Sequence, residues 1–129
     1  MKSKNAVTAL AALAQDARLA IYRLLVEAGP AGMPAGEIGG CLSIPAPTLS
    51  FHLAQLRRAG LVTQRRNGRQ LIHAAAFERM NALIAYLTEN CCGGDAAACA
   101  PVGIAPIRIA KCAPKPAAGR RPRKRRKGL

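Results

Sequence analysis

Cys91 and Cys92 are adjacent, Gly93 and Gly94 follow, and a third cysteine stands at Cys99. Three thiolates with no imidazole beside them favour a soft, thiophilic ion. A glycine pair lets the chain fold back, so three sulfurs can reach one face of a small centre. Trivalent arsenic and antimony accept three sulfurs in a pyramid. Structural zinc takes four ligands in a tetrahedron, and Cys112 is available as the fourth. Other readings stay open: a two-thiol site made of Cys91 and Cys92 for a singly methylated trivalent arsenical, a redox pair resolved by Cys99, or an incidental pair. Cys41 stands alone and reads as a small buried side chain. An odd cysteine count with two neighbours is a poor disulfide framework, which points to a reducing cytoplasm.

Arg65, Arg66 and Arg69 cluster around Asn67-Gly68. Dense like charge at a chain reversal is unfavourable unless an anion sits near it. A second group, Thr48, Phe51, His52 and Gln55, recurs at helical spacing and is mostly polar but uncharged. Such a strip suits contact with a nucleic-acid groove. Beside the cysteine pair there is no phosphate or oxyanion cradle and no catalytic base, so no enzyme and no organic cofactor is expected.

The elements that position these groups follow from periodicity. Val7, Leu10, Leu13 and Ala14 predict a short helix over 5–14. Asp16 reads as the N-cap of a second helix, Ala17 to Ala28, stopped by Gly29-Pro30. Pro34 opens a third helix that ends near Leu42. A fourth covers 46–59, with Pro47 in its first turn, Leu49, Leu53 and Leu56 as a buried stripe, and Gly60 as its stop. The period then becomes two. Leu61 to Arg66, Asn67-Gly68, and Arg69 to Ala74 predict a β-hairpin with a type I′ turn. A last helix runs from Phe77 to about Asn90, with Met80, Leu83, Ile84 and Leu87 on one face.

Helix, helix, helix-turn-helix, hairpin, helix is the order of a winged helix-turn-helix. The expected fold is mainly α with a β-hairpin, dimeric, with a disordered basic tail. Residues 1–90 form the DNA-binding and dimerisation domain, 91–112 a cysteine-containing metalloid-binding loop, and 113–129 the tail. Charge supports that division. The 129 residues carry a net +14, of which residues 1–112 hold +6 and residues 113–129 hold +8 with no acid. Such a block cannot bury a core and reads as phosphate attraction or solubilising charge. With no Trp and four other aromatics, stacking readers of single strands are disfavoured. No apolar run is long enough for a transmembrane helix.

The sequence resembles the ArsR/SmtB metalloregulatory repressors over about residues 5–90. Asp16 to Leu25 is similar to the family's second-helix signature, Thr48 to Leu56 to its recognition helix, Arg57 to Val62 to its helix-to-wing junction, and Arg65 to Arg69 to its wing. The resemblance implies homodimers joined through the first and last helices, here Val7, Leu10 and Leu13 with Met80, Leu83, Ile84 and Leu87. The family's Cys-x-Cys-x-x-Cys site before the recognition helix is reduced here to Cys41, and the last helix has no His for a zinc site. Some arsenic-responsive members carry an adjacent cysteine pair plus a nearby third, as Cys91, Cys92 and Cys99 do here. The expectation is therefore a cytoplasmic repressor. The apo homodimer binds double-stranded operator DNA through Thr48, Ser50, Phe51, His52, Gln55, Arg65, Arg66, Asn67 and Arg69. As(III), Sb(III) or methylarsenite releases it, or else thiol oxidation does.

Overall fold

The computed structural model describes residues 1–94. The remainder of the cysteine-containing segment, with Cys99 and Cys112, and the basic segment 113–129 lie outside the described residues.

Helix α1 spans Ser3–Leu13 and α2 spans Asp16–Ala28. Asp16 is the first residue of α2 rather than its cap. Gln15 caps instead, its side-chain oxygen accepting from the Arg18 amide at 2.9 Å. Asp16 still carries negative charge where the helix dipole favours it. Ile21, Tyr22, Leu24 and Leu25 form the buried face of α2, while Leu19 faces outward at 44% exposure. A 3-10 turn, Gly29–Ala31, leads into strand β1, Met33–Pro34. No hydrophobic alternation announces a strand of two residues. Its Pro34 is tolerated because β1 lies at the edge of the sheet.

Helix α3, Ala35–Leu42, and helix α4, Ala46–Arg58, form the helix-turn-helix. Between them Ser43 takes a left-handed conformation at φ 56°. Strands β2, Val62–Asn67, and β3, Gln70–Ala75, make the wing, and the sheet order is β1-β3-β2. Helix α5 covers Phe77–Leu87. It stops three residues before the expected Asn90. The Thr88 hydroxyl donates to the Ile84 carbonyl at 2.8 Å, and Asn90 is left-handed at φ 57°.

The wing turn differs from the expected one. Asn67 pairs with Gln70, so Gly68 and Arg69 are the turn residues rather than Asn67 and Gly68. Gly68 has φ 67° and Arg69 does not have positive φ. That excludes type I′, which needs positive φ at both positions, and fits type II′, which puts Gly first. The physical gain is clear from the register. An Asn67-Gly68 turn would set Arg66 opposite Arg69. The observed pairing sets Arg66 against Leu71 and Arg65 against Ile72, so no two arginines face each other across the ladder.

The core lies where α2, α3, α4 and the base of the wing meet. Ile21, Tyr22, Leu25, Met33, Ile38, Leu56 and Leu61 are its largest fully buried side chains. Cys41 packs half-buried against it. Gly32, at φ 73°, lies against the His73 carbonyl so closely that any side chain there would collide with backbone. That contact seats the 3-10 turn on β3.

Candidate nucleic-acid interface

Helix α4 divides into two faces. Leu49, His52, Leu53 and Leu56 are buried, at the i, i+3, i+4, i+7 spacing of a core stripe. Thr48, Ser50 and Phe51 are exposed and Gln55 is half-buried. Phe51 exposes 57% of its surface, one helical turn after Thr48 and one turn before Gln55. Arg57 and Arg58 close the helix with two exposed cations.

His52 requires a correction. It was expected on the groove face, but it retains only 8% exposure and turns toward α2. Its Nδ1 lies 3.3 Å from Arg18 Nη1. A guanidinium can only donate, so Nδ1 accepts and the imidazole proton sits on Nε2. Arg18 Nε also donates to the Ala12 carbonyl at the end of α1, at 2.7 Å. One side chain thus ties α1 and α2 to the recognition helix. The spacing from Leu49 to His52 to Leu56 carried this signal, but the polarity of histidine masked it.

The wing presents Arg65, Arg66, Asn67 and Arg69, all exposed. Arg65 has a structural duty as well, its Nη2 donating to the Ala31 carbonyl at 2.9 Å. This braces the middle of β2 on the 3-10 turn. Arg66 and Arg69 lie at and beside the turn. The exposed helix face and the wing together offer hydrogen-bonding side chains, one aromatic ring and five exposed cations, Arg57, Arg58, Arg65, Arg66 and Arg69. Cations hold phosphates without reading sequence, whereas helix side chains in a major groove read base edges.

At the junction of helix and wing, Gly60 has φ 81°, and its open side is covered by the Arg79 guanidinium of α5. Beneath the wing, His73 is buried at 4% exposure. Burial, and secondarily the Arg57 charge, hold its pKa below the ordinary 6.5. Burial also pushes the Tyr22 hydroxyl pKa upward.

On the far helices, the expected interface residues separate into two groups. Val7, Leu10, Ile84 and Leu87 are exposed at 62, 42, 51 and 57%. Leu13 and Met80 pack partly against the protomer's own core. Leu83 is 4% exposed and belongs to that core. Its assignment to an intermolecular surface is therefore corrected. On α5, Leu83 occupies the inward edge of a stripe whose outward edge is Ile84 and Leu87.

Beyond α5, Cys91 and Cys92 sit in a short turn, Cys91–Gly94, where Cys92 has a left-handed φ of 56°. Both are exposed, and their sulfurs lie 3.7 Å apart. That is far beyond a disulfide bond length. Among the described residues no group of three or more His, Cys, Asp or Glu side chains gathers at one point. The third expected thiolate, Cys99, lies outside those residues. No helix among the described residues is long and apolar enough to cross a membrane.

A helix-turn-helix domain family matches residues 13–65. The HTH-type transcriptional regulator YgaV of Escherichia coli is 31% identical over 90 residues, which are 70% of this chain and 89% of that protein. The structure is similar to that of HlyU from Vibrio cholerae, with a TM-score of 0.54 and 30% identity over 71% of this chain and 99% of that one. HlyU is a transcriptional activator, and its reduced form has also been solved. A homodimeric winged helix-turn-helix DNA-binding domain from Mycobacterium bovis, a possible ArsR-family regulator, has a TM-score of 0.55 and 26% identity over 72% of this chain and 86% of that one. With this identity spread over most of its relatives' length, and with the recognition helix and wing in place, the chain belongs to the ArsR family of winged helix-turn-helix transcriptional regulators.

Proposed function

We propose that this regulator is a homodimeric repressor in the cytoplasm, released from its operator by trivalent arsenic. The carrying observation is the exposed Cys91–Cys92 pair, with sulfurs 3.7 Å apart at the end of α5. One soft centre bonded to both sulfurs can span that separation, and Cys99 supplies the third thiolate of a pyramidal As(III) or Sb(III) site. Val7, Leu10, Ile84 and Leu87 form the exposed apolar face that a second copy covers. The thiol pair begins four residues after the last residue of α5, so closing a chelate there constrains the segment leaving a helix that carries part of that face. A coupling of about 1–3 kcal/mol lowers operator affinity roughly 5–150-fold. Operator DNA weakens metalloid binding by the same factor. In this reading Thr48, Ser50, Phe51 and Gln55 meet bases, while Arg65, Arg66, Asn67 and Arg69 meet the backbone.

The test is release of the protein from its own promoter fragment, titrated with arsenite, antimonite, methylarsenite, zinc and peroxide. Arsenite should release the wild type and fail on Cys91→Ser, Cys92→Ser and Cys99→Ser. Release that survives all three substitutions refutes the site. Release by methylarsenite that ignores Cys99→Ser selects the two-thiol version. A second reading, release by thiol oxidation, draws on the same adjacent sulfurs and on a relative whose reduced form was solved. Release by peroxide but not by arsenite selects it.

A further inference from the structure

Four of the nine exposed large apolar side chains of the described residues have an account that does not involve DNA. Val7, Leu10, Ile84 and Leu87 lie on α1 and α5, the proposed dimer face. Phe51 is different. It is the one aromatic ring among the exposed large apolar side chains, and it stands in the polar strip of α4. A phenyl ring there has no hydrogen bond to offer a base or a phosphate. Its surroundings nevertheless hold it in place. It meets the His52 ring edge-on, with centroids 5.7 Å apart and planes at 61°. His52 in turn is buried and held by Arg18. The ring is therefore supported from behind by a fixed partner and presented at 57% exposure. A side chain held before binding loses less entropy on binding.

The edges of the four base pairs in a major groove carry donors, acceptors and one apolar group, the C5-methyl of thymine. We propose that Phe51 reads that methyl, making one thymine in each half-site a specificity position. The inference rests on the proposed operator binding by α4. Thr48 and Gln55, one turn to either side, supply the hydrogen bonds that set the register. His52 is a positioning residue and touches no base.

The probe is the tightest duplex selected in vitro from a random double-stranded library by the full-length protein. Its thymines are replaced one at a time by uracil, which removes the methyl and leaves the pairing intact. Affinities are read by fluorescence anisotropy. At one thymine per half-site, the wild type should weaken about four-fold, the equivalent of one buried methylene at ~0.8 kcal/mol. Phe51→Ala should bind the thymine duplex more weakly and lose all response to uracil at that position. Phe51→Leu should keep part of the response. Thermal melts should be unchanged for both variants, since the ring is mostly exposed. Indifference of the wild type to every uracil overturns the inference. So does a Phe51→Ala protein that keeps the full uracil response, because another residue then reads the methyl. Failure to select any duplex refutes operator binding itself.

Discussion

Replacing Arg18 with methionine keeps the aliphatic stem and removes every donor. Two bonds go with it, one to the Ala12 carbonyl at 2.7 Å and one to His52 Nδ1 at 3.3 Å. The two losses are unequal. Ala12 is only partly buried, so water can replace the first donor. His52 is 8% exposed, so its acceptor is left stranded. A stranded buried acceptor costs about 1–3 kcal/mol, and the lost charge-assisted bond adds roughly 1 kcal/mol where water substitutes. Arg18→Met should therefore cost about 2–4 kcal/mol. His52→Leu extends the Leu49, Leu53, Leu56 stripe and leaves Arg18 its bond to Ala12, so it should cost about 1 kcal/mol or less. In the double variant no acceptor is stranded. Its cost should fall below the sum of the single costs by about 1–2 kcal/mol. Urea unfolding followed by circular dichroism gives all three values. Additivity within about 0.5 kcal/mol refutes the coupling of α2 to the recognition helix through this pair. The same His52→Leu protein checks the buried assignment independently. If histidine touched a base, its loss would cost about 1–3 kcal/mol of sequence discrimination. A residue behind the helix should leave base preferences intact everywhere except at the thymine that Phe51, its ring partner, is proposed to read.

Three further predictions rest on which side chains are buried and which are exposed. His73 titrates below 6.5 in the folded protein because burial, and then Arg57, disfavour its charged form. Below pH 6.5 the unfolded chain binds a proton that the folded one resists, so stability is complete above 6.5 and falls as the medium is acidified toward the lowered folded pKa. His73→Phe should flatten that loss in urea midpoints measured across the acid range, and an unchanged slope would exclude His73 as its source. On α5, Leu83→Ala should cost about 2–5 kcal/mol of folding stability. Ile84→Glu with Leu87→Glu should instead leave the protomer folded and shift sedimentation from dimer to monomer. A double glutamate variant that stays dimeric moves the interface elsewhere.

The order of elements was readable because each long segment combines one period with its own stop signal. Gly29-Pro30 ends α2 and Gly60 ends α4, and in the structure both helices stop beside those glycines. Ends that depend on side-chain capping were less legible. Gln15 and Thr88 close helices through bonds that other residue types also make, and nothing in their spacing marks them. Strand β1 had no local signal, because its two residues are held only by pairing with His73 and Ile72.

For the candidate interface, local sequence is enough to specify which elements carry it. The polar strip of α4 and the arginines around a glycine turn are local facts of composition and period. Tertiary structure decided which face each residue takes. His52 and Phe51 are neighbours in sequence, yet one is buried behind the helix and the other is exposed beyond it. Period 3.6 places them about 100° apart, and only the presence of Arg18 behind α4 makes the inward position acceptable to an imidazole. The wing turn moved by one residue for a similar reason. Local preference favours Asn67-Gly68, but the observed register keeps the wing arginines from facing one another. Leu83 and Ile84 divide between the core and an open surface because α5 packs on one side only. Sequence supplies the candidates through local chemistry, and the fold sorts them because burial is set by contacts between residues distant along the chain.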